Sequence, residues 1–193
     1  MRVPTPTLRT GEQFITARYA HFVGPIRIAV LAALAGLSVG VGLAGAKESS
    51  ITKSSRLWAT VNVCDTPRHP NQVGVRVSMP GSGVKREKMY ARIQLQYFDS
   101  VSTKWKSLGK AADSGWLSLG SSKYLRREGG STFKLQAPAA GQLFRIRGFV
   151  RYEWRRQGTA IRRAQKVTAG RLSDVKGADP ATYSAAECWV TAP

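Results

Sequence analysis

The feature that most constrains the fold of this chain is a period of two in its apolar residues from residue 57 onward. In residues 73–79, valine or methionine occupies every second position, with glycine, arginine or serine between them, and residues 91–97 repeat the pattern. Successive side chains of a strand point to opposite faces, so this alternation predicts strands with one buried face. Residues 47–193 contain no sustained i, i+3, i+4 pattern of the kind that predicts a helix.

The alternating segments are short, and turn signals such as Pro80-Gly81-Ser82-Gly83 separate them. This spacing predicts an all-β fold, an antiparallel β-sandwich over residues 57–193, with a polar linker at 47–56 before it. The predicted strands lie at 59–64, 73–79, 91–97, 105–108, 116–119, 132–135, 144–154, 160–168 and 183–190.

The first 46 residues have the organisation of an export signal. Four arginines and a single acid, Glu12, precede the uncharged apolar run 28–46, which ends in Ala44-Gly45-Ala46. A basic segment, an apolar segment and a small-x-small end are typical of a signal peptide, and we predict cleavage after Ala46 and an extracellular or cell-envelope location. The alternative is an uncleaved anchor helix, because this run can just span a bilayer of about 30 Å. Both interpretations place the domain outside the cytoplasm.

The chain has only two cysteines, Cys64 and Cys188, near the two ends of the predicted domain. Cysteine pairs of exported chains normally bond in oxidising compartments, so we predict a disulfide that joins the first strand to the last. A reactive thiolate needs a base nearby, and His69 is the only histidine after residue 46.

Positive charge is concentrated in one segment. The chain carries 30 lysines and arginines against 11 acids, a net charge of +19. The aromatic content of the chain excludes an intrinsically disordered protein. Residues 143–171 contain nine of the basic residues and only one acid, Glu153. In a strand, and across a hairpin turning at Gln157-Gly158, these positions predict one anion-binding sheet face. Its residues are Arg145, Arg147, Arg151, Arg155 and Arg162.

Forked guanidinium groups on such a face suit phosphate or carboxylate ligands. The alternative is a solvated outer face, because arginine stems also cover sheet surface well. We therefore name anionic envelope polymers or acidic lipids as partners if the face is functional. The sequence contains no motif that reads nucleic-acid bases, so any binding to nucleic acid is expected to be independent of sequence and sensitive to salt.

Residues 89–156 resemble fibronectin type III and related immunoglobulin-like modules. The resemblance rests on RIQLQY at 92–97, Trp105, FKL at 133–135, a Pro138/Gly141 corner and FRIR at 144–147. Phe144 stands where that family has its corner tyrosine, so the hydroxyl hydrogen bond of the tyrosine corner cannot form. The resemblance implies a β-sandwich scaffold used by exported proteins for binding, and it implies no catalytic residues.

Catalytic and cofactor motifs are lacking in residues 47–193. His69 lies in a loop without a nucleophile elbow elsewhere, the acids are scattered, and the glycine pairs lack the lysine and helix of a phosphate loop. We therefore expect no enzyme, no metal and no cofactor. The sequence predicts an exported, monomeric interaction protein that binds polyanions or a protein partner. The alternatives are a cell-wall hydrolase and a structural accessory subunit of an envelope assembly.

Overall fold

The computed structural model describes residues 51–192, and nine strands form there, one at each predicted segment. The all-β class with antiparallel pairing is confirmed. One turn of 3-10 helix, Lys110–Ala112, separates the fourth and fifth strands. The strands are β1 (Trp58–Thr66), β2 (His69–Pro80), β3 (Glu87–Asp99), β4 (Lys104–Ser107), β5 (Asp113–Ser121), β6 (Arg126–Lys134), β7 (Leu143–Arg156), β8 (Thr159–Val167) and β9 (Cys188–Thr191).

The strands form two sheets. The first has the order β1-β2-β6. The second is built on β3 and β7, which pair from Glu87 opposite Arg156 to Tyr97 opposite Ile146. β4 and β5 share the other edge of β3, and β8 and β9 share the other edge of β7. The two long central strands, β3 and β7, therefore pair with each other along one edge and with two shorter strands along the other.

Both sheets contribute to one hydrophobic core. The alternating apolar side chains of β2 are at most 1% exposed, and those of β3 from Met89 to Leu95 are fully buried. This burial is the physical result of the period of two, because one face of each strand is removed from water. The largest fully buried apolar side chains are Trp154, Tyr152, Met79, Met89, Ile93 and Leu95.

Two buried aromatic side chains of β7 also connect the sheets by hydrogen bonds. The indole Nε1 of Trp154 donates to the carbonyl of Pro80 on β2 at 3.0 Å. The hydroxyl of Tyr152 donates to the carbonyl of Trp58 on β1 at 2.7 Å. A buried tryptophan or tyrosine needs such a partner for its polar atom, and both partners belong to the first sheet.

A buried carboxylate lies where β3 begins. Glu87 is 0% exposed and accepts hydrogen bonds from Ser82 at 2.6 Å, Arg156 at 2.7 Å and Arg162 at 2.8 Å. Burial raises the pKa of Glu87, but the hydrogen bonds from these three side chains outweigh it, and the pKa lies below its usual range. The carboxylate is therefore charged at neutral pH inside the protein.

The predicted disulfide is confirmed. Cys64 on β1 and Cys188 on β9 are bonded, with their Cα atoms 5.4 Å apart. β1 belongs to the first sheet and β9 to the second, so the bond joins the two sheets as well as the two ends of the domain.

The last predicted strand, 183–190, is wrong at its start, because β9 covers only Cys188–Thr191. The chain first runs beside β1, where Ala185 exchanges two backbone hydrogen bonds with Val61, at 2.9 and 3.0 Å. It then crosses to β7, where Cys188 lies opposite Ile146. Sequence alternation does not reveal this change of sheet, because Tyr183 and Ala185 in the first stretch and Cys188 and Val190 in the second all pack against the same core.

The predicted signal or anchor, 1–46, and the first residues of the predicted linker lie outside the described residues. In the rest of the linker, the backbone N–H of Leu57 donates to the carbonyl of Ser54 at 3.0 Å, and Ile51 packs against the core. Among residues 51–192, no helix is both long enough and apolar enough to cross a membrane.

Candidate functional site

Four of the five predicted anion-binding residues share one face of the second sheet. The even-numbered positions of β7 point into the core, where Ile146, Val150, Tyr152 and Trp154 are 0% exposed. The odd-numbered positions therefore point outward. We call this outer surface the arginine face, and its β7 members are Arg145, Arg147, Arg151 and Arg155.

The fifth predicted residue, Arg162, lies on the opposite face, which corrects its sequence-based placement. A β-bulge at Trp154 and Arg155 shifts the register of β8 by one residue, so that Arg162 pairs with Trp154 and not with Glu153. A shift of one residue moves a side chain to the other face of a sheet. Arg162 consequently reaches the buried Glu87 and is not part of the arginine face.

Arg145 is held by an acid and by three aromatic rings. Its Nε and Nη2 donate to the two carboxylate oxygens of Glu187, the second at 3.0 Å. This hydrogen bonding raises the pKa of Arg145. The guanidinium also lies 4.9 Å from the ring centroid of Phe98 and 5.5 Å from those of Trp105 and Trp189. The charge of Arg145 is therefore largely compensated within the protein.

Arg155 is compensated in a similar way at the other end of β7. Its Nε donates to the carboxylate of Glu153 at 2.7 Å, and Arg163 donates to the same carboxylate at 3.2 Å. The guanidinium of Arg155 lies 4.3 Å from the ring centroid of Tyr90 and 4.6 Å from that of Trp116. Aromatic rings thus cover arginines at both ends of the arginine face.

Arg147 and Arg151, in the middle of the strand, donate to neutral amides. Nε of Arg147 donates to Oε1 of Gln96 at 2.9 Å, and Nη2 of Arg151 donates to Oε1 of Gln94 at 2.7 Å. Nε of Arg151 is buried, and within residues 51–192 it has no hydrogen-bond partner. The guanidinium of Arg147 lies 4.2 Å from the ring centroid of Trp105.

The electrostatic environment of Arg147 is dominated by partial burial of its guanidinium group. Burial is the main cause that lowers the pKa of Arg147; the negative charge of Glu187 opposes it, and the positive charge of Arg145 adds a smaller lowering. It remains protonated at neutral pH, because the ordinary pKa of arginine is above 12. An anion that bound here would supply the negatively charged partner that the neutral amides of Gln94 and Gln96 do not provide.

Sequence reasoning missed Arg92 and the acids of this surface. Arg92 lies opposite Arg151 on β3, and its Nε and Nη2 donate to Asp113 at 2.8 and 2.6 Å. The hydrogen bond from Arg92 lowers the pKa of Asp113, with burial opposing it. The period of two in β3 and β7 could have placed Arg92 and Glu153 here, but no local signal brings Glu187 to Arg145.

His69, which sequence analysis considered as a base, lies near one carboxylate. Its Nε2 is 3.8 Å from Oδ2 of Asp179. Asp179 also accepts hydrogen bonds from Thr66, at 2.6 Å, and from Arg68. The hydrogen bond from Thr66 is the main cause that lowers the pKa of Asp179, and Arg68 adds to it, against burial. This cluster fixes the turn between β1 and β2 and the loop that contains Asp179.

The arginine face combines guanidinium groups with aromatic rings, and within residues 51–192 its two central arginines, Arg147 and Arg151, form no salt bridge. Its chemistry suits ligands that carry several separated negative charges, because such ligands can reach both central arginines. Comparison of the chain with protein-family models, curated proteins and solved structures finds no match.

Proposed function

We propose that this protein is an exported, non-enzymatic interaction module that binds anionic polymers of the cell envelope through its arginine face. The observation that carries this proposal is the pairing of Arg147 and Arg151 with neutral amides. Within residues 51–192 these two guanidinium groups form no salt bridge, and the amides of Gln96 and Gln94 orient them on an outer sheet surface. Groups that are already oriented lose little conformational entropy when a ligand binds.

The proposed scaffold is a β-sandwich of the immunoglobulin or fibronectin type III kind. The order β1-β2-β6 corresponds to strands A, B and E of such modules, and β3, β7 and β8 correspond to C, F and G. The shared core of the two sheets supports this arrangement. Two departures are the pairing of β5 with β3 and the disulfide, which joins β1 to β9 and not the strands equivalent to B and F.

Export is supported by the disulfide, because such bonds persist mainly in oxidising compartments. The proposed location is the cell envelope or the extracellular space, with residues 1–46 as signal peptide or membrane anchor. Removing these residues leaves 26 basic against 10 acidic side chains. This excess of positive charge would attract envelope polyanions before any specific contact forms.

The test compares retention of the full chain on immobilised dextran sulfate as the salt concentration rises. We expect Arg147→Gln/Arg151→Gln to elute at lower salt than the wild type. The slope of log K against log salt should fall by about 2, since each contact with a polyanion contributes about 0.9. The control is Arg56→Gln/Arg171→Gln, which removes the same charge from exposed positions away from the arginine face.

Equal elution of the two double variants would reject the arginine face as the binding site and leave only a general effect of charge. Thermal unfolding of each variant checks that the fold is intact. A third variant, Arg147→Lys/Arg151→Lys, keeps both charges, so we expect its salt slope to stay close to that of the wild type.

A second candidate function, an accessory subunit of an envelope assembly, is favoured by the apolar residues of the same surface. Leu143 is 49% exposed, Val167 44% and Trp189 51%. Tryptophan and arginine are enriched at the energetic centres of protein interfaces. Crosslinking from position 189 on the cell surface distinguishes the two, because a defined protein adduct would favour the subunit role.

A further inference from the structure

Two loops lie side by side at the end of the molecule where β3 begins, and together they form what we call the basic tip, residues 81–86 and 122–127. The N–H of Gly81 donates to the carbonyl of Leu125 at 3.0 Å, and the N–H of Gly83 donates to that of Ser122 at 2.9 Å. A Cβ atom at Gly81 would lie 1.8 Å from the carbonyl oxygen of Tyr124, so only glycine allows this approach. The basic tip is therefore a fixed structure.

The basic tip exposes apolar side chains. Leu125 is 69% exposed, Tyr124 51% and Val84 39%. Covering exposed apolar groups with a partner lowers the free energy, so such groups often mark an interaction site. The phenol ring of Tyr124 is suited to a boundary between an apolar and a polar phase, where tyrosine is enriched.

Cations surround these apolar side chains. The guanidinium of Arg127 lies 5.0 Å from the ring centroid of Tyr124, and the ammonium of Lys123 lies 5.9 Å from it. The acids beside the tip already have cationic partners. Glu87 is buried and paired with two arginines, and Glu128 forms a salt bridge with Arg126 at 3.2 Å. The exposed cations of the basic tip are Lys85, Arg86, Lys123, Arg126 and Arg127.

A cleft beside the basic tip offers a site for a phosphate group. It has a volume of about 400 Å³ and shares two arginines with the tip. Nε of Arg76, at its wall, is buried and lacks a hydrogen-bond partner within residues 51–192. The residues that line the cleft are Arg76, Arg126, Arg127, Glu128 and Lys176.

We propose that the basic tip docks on an anionic lipid bilayer. Val84, Tyr124 and Leu125 enter the interfacial region, the cations contact headgroup phosphates, and the cleft holds one of these phosphates. A soluble polyanion would use the cations but would leave the apolar side chains in water, whereas a bilayer covers both. This site is separate from the arginine face, and the proposal does not depend on the function assigned to that face.

The test places an environment-sensitive fluorophore on a cysteine at position 125 (Leu125→Cys) in the full, oxidised chain. The matched control is Val101→Cys, a position that is 93% exposed beyond the far end of β3. Local fluorescence is the readout, because the apolar run 28–46 can itself hold the chain on a vesicle. We expect a blue shift at position 125 but not at 101 on vesicles of phosphatidylglycerol and phosphatidylcholine, and a much smaller shift on phosphatidylcholine alone.

Two added variants test the contribution of charge. Lys85→Gln/Lys123→Gln should weaken the lipid response at position 125 about 30-fold, since each cation near an anionic surface contributes about 1 kcal/mol. Arg147→Gln/Arg151→Gln on the arginine face should leave that response unchanged. Equal shifts at positions 125 and 101, or equal shifts on neutral and anionic vesicles, would overturn the proposal. A shift of the same size with soluble polyphosphate would reassign the basic tip to polyanions.

Discussion

Replacing Glu87 by leucine tests the most deeply buried charge of the described domain. The carboxylate is 0% exposed and compensates two guanidinium groups. The side chain of Arg156 is 53% exposed and can turn toward water, but that of Arg162 is only 17% exposed. Glu87→Leu therefore leaves Arg162 as a largely buried cation without this partner.

Loss of one partner of a buried ion pair destabilises a protein by about 3–5 kcal/mol. We expect about 3 kcal/mol for Glu87→Leu, at the lower end, because Arg156 regains hydration. The double variant Glu87→Leu/Arg162→Leu removes both charges of this pair, and apolar replacement of a whole buried pair is often neutral. The coupling free energy between the two positions should therefore reach about 2 kcal/mol.

Urea unfolding of the oxidised full chain at pH 7 measures these free energies in a double-mutant cycle. The matched control is the cycle Glu153→Leu/Arg163→Leu, an acid–arginine pair that joins β7 to β8 on the arginine face. The side chain of Arg163 is 70% exposed, so we expect coupling below about 1 kcal/mol there. If the outer pair coupled as strongly as the inner pair, the register set by the β-bulge would be refuted, together with the argument from burial.

Three further predictions concern stability. Trp154→Phe removes the indole hydrogen bond to Pro80 and should lower the free energy of unfolding by about 1–3 kcal/mol in urea, because a buried carbonyl loses its partner. Cys64→Ala/Cys188→Ala opens a loop with a sequence separation of 124, and the chain-entropy model gives a loss of about 5 kcal/mol relative to the oxidised wild type. The pKa of Asp113 is lowered from its ordinary 3.8, so the stability that its charge contributes is complete above pH 3.8 and is lost as the pH falls through the folded pKa. Between pH 6 and pH 2, the free energy of unfolding of Asp113→Asn should therefore fall less steeply than that of the wild type.

The strands were predictable because each has one buried face. In β2 and β3 the apolar residues occupy every second position, so each strand can bury them only by turning one face toward the core. The disulfide was predictable for a related reason, since Cys64 and Cys188 belong to the first and last strands and have no alternative partners. The boundaries of β9 were not predictable, because its chain contacts both sheets in succession.

The arginine face was predictable in position and only partly in chemistry. Period two places the four arginines of β7 together, but a single bulge transfers Arg162 to the core side. The ion pair between Arg145 and Glu187 depends on the pairing of distant segments of the chain, which no local sequence pattern predicts. The basic tip was hidden for the same reason, because the two basic turns meet only through tertiary hydrogen bonds.

The link between Cys64 and Cys188 also determines how the protein responds to mechanical force. Tension applied to the two ends of the described chain enters through β1, crosses the covalent sulfur bridge and leaves through β9. The strands β2 to β8, with the arginine face and the basic tip, lie outside that path. A domain pulled by its ends would therefore keep its two proposed binding surfaces folded under forces that unfold a domain without the disulfide, until the disulfide is reduced.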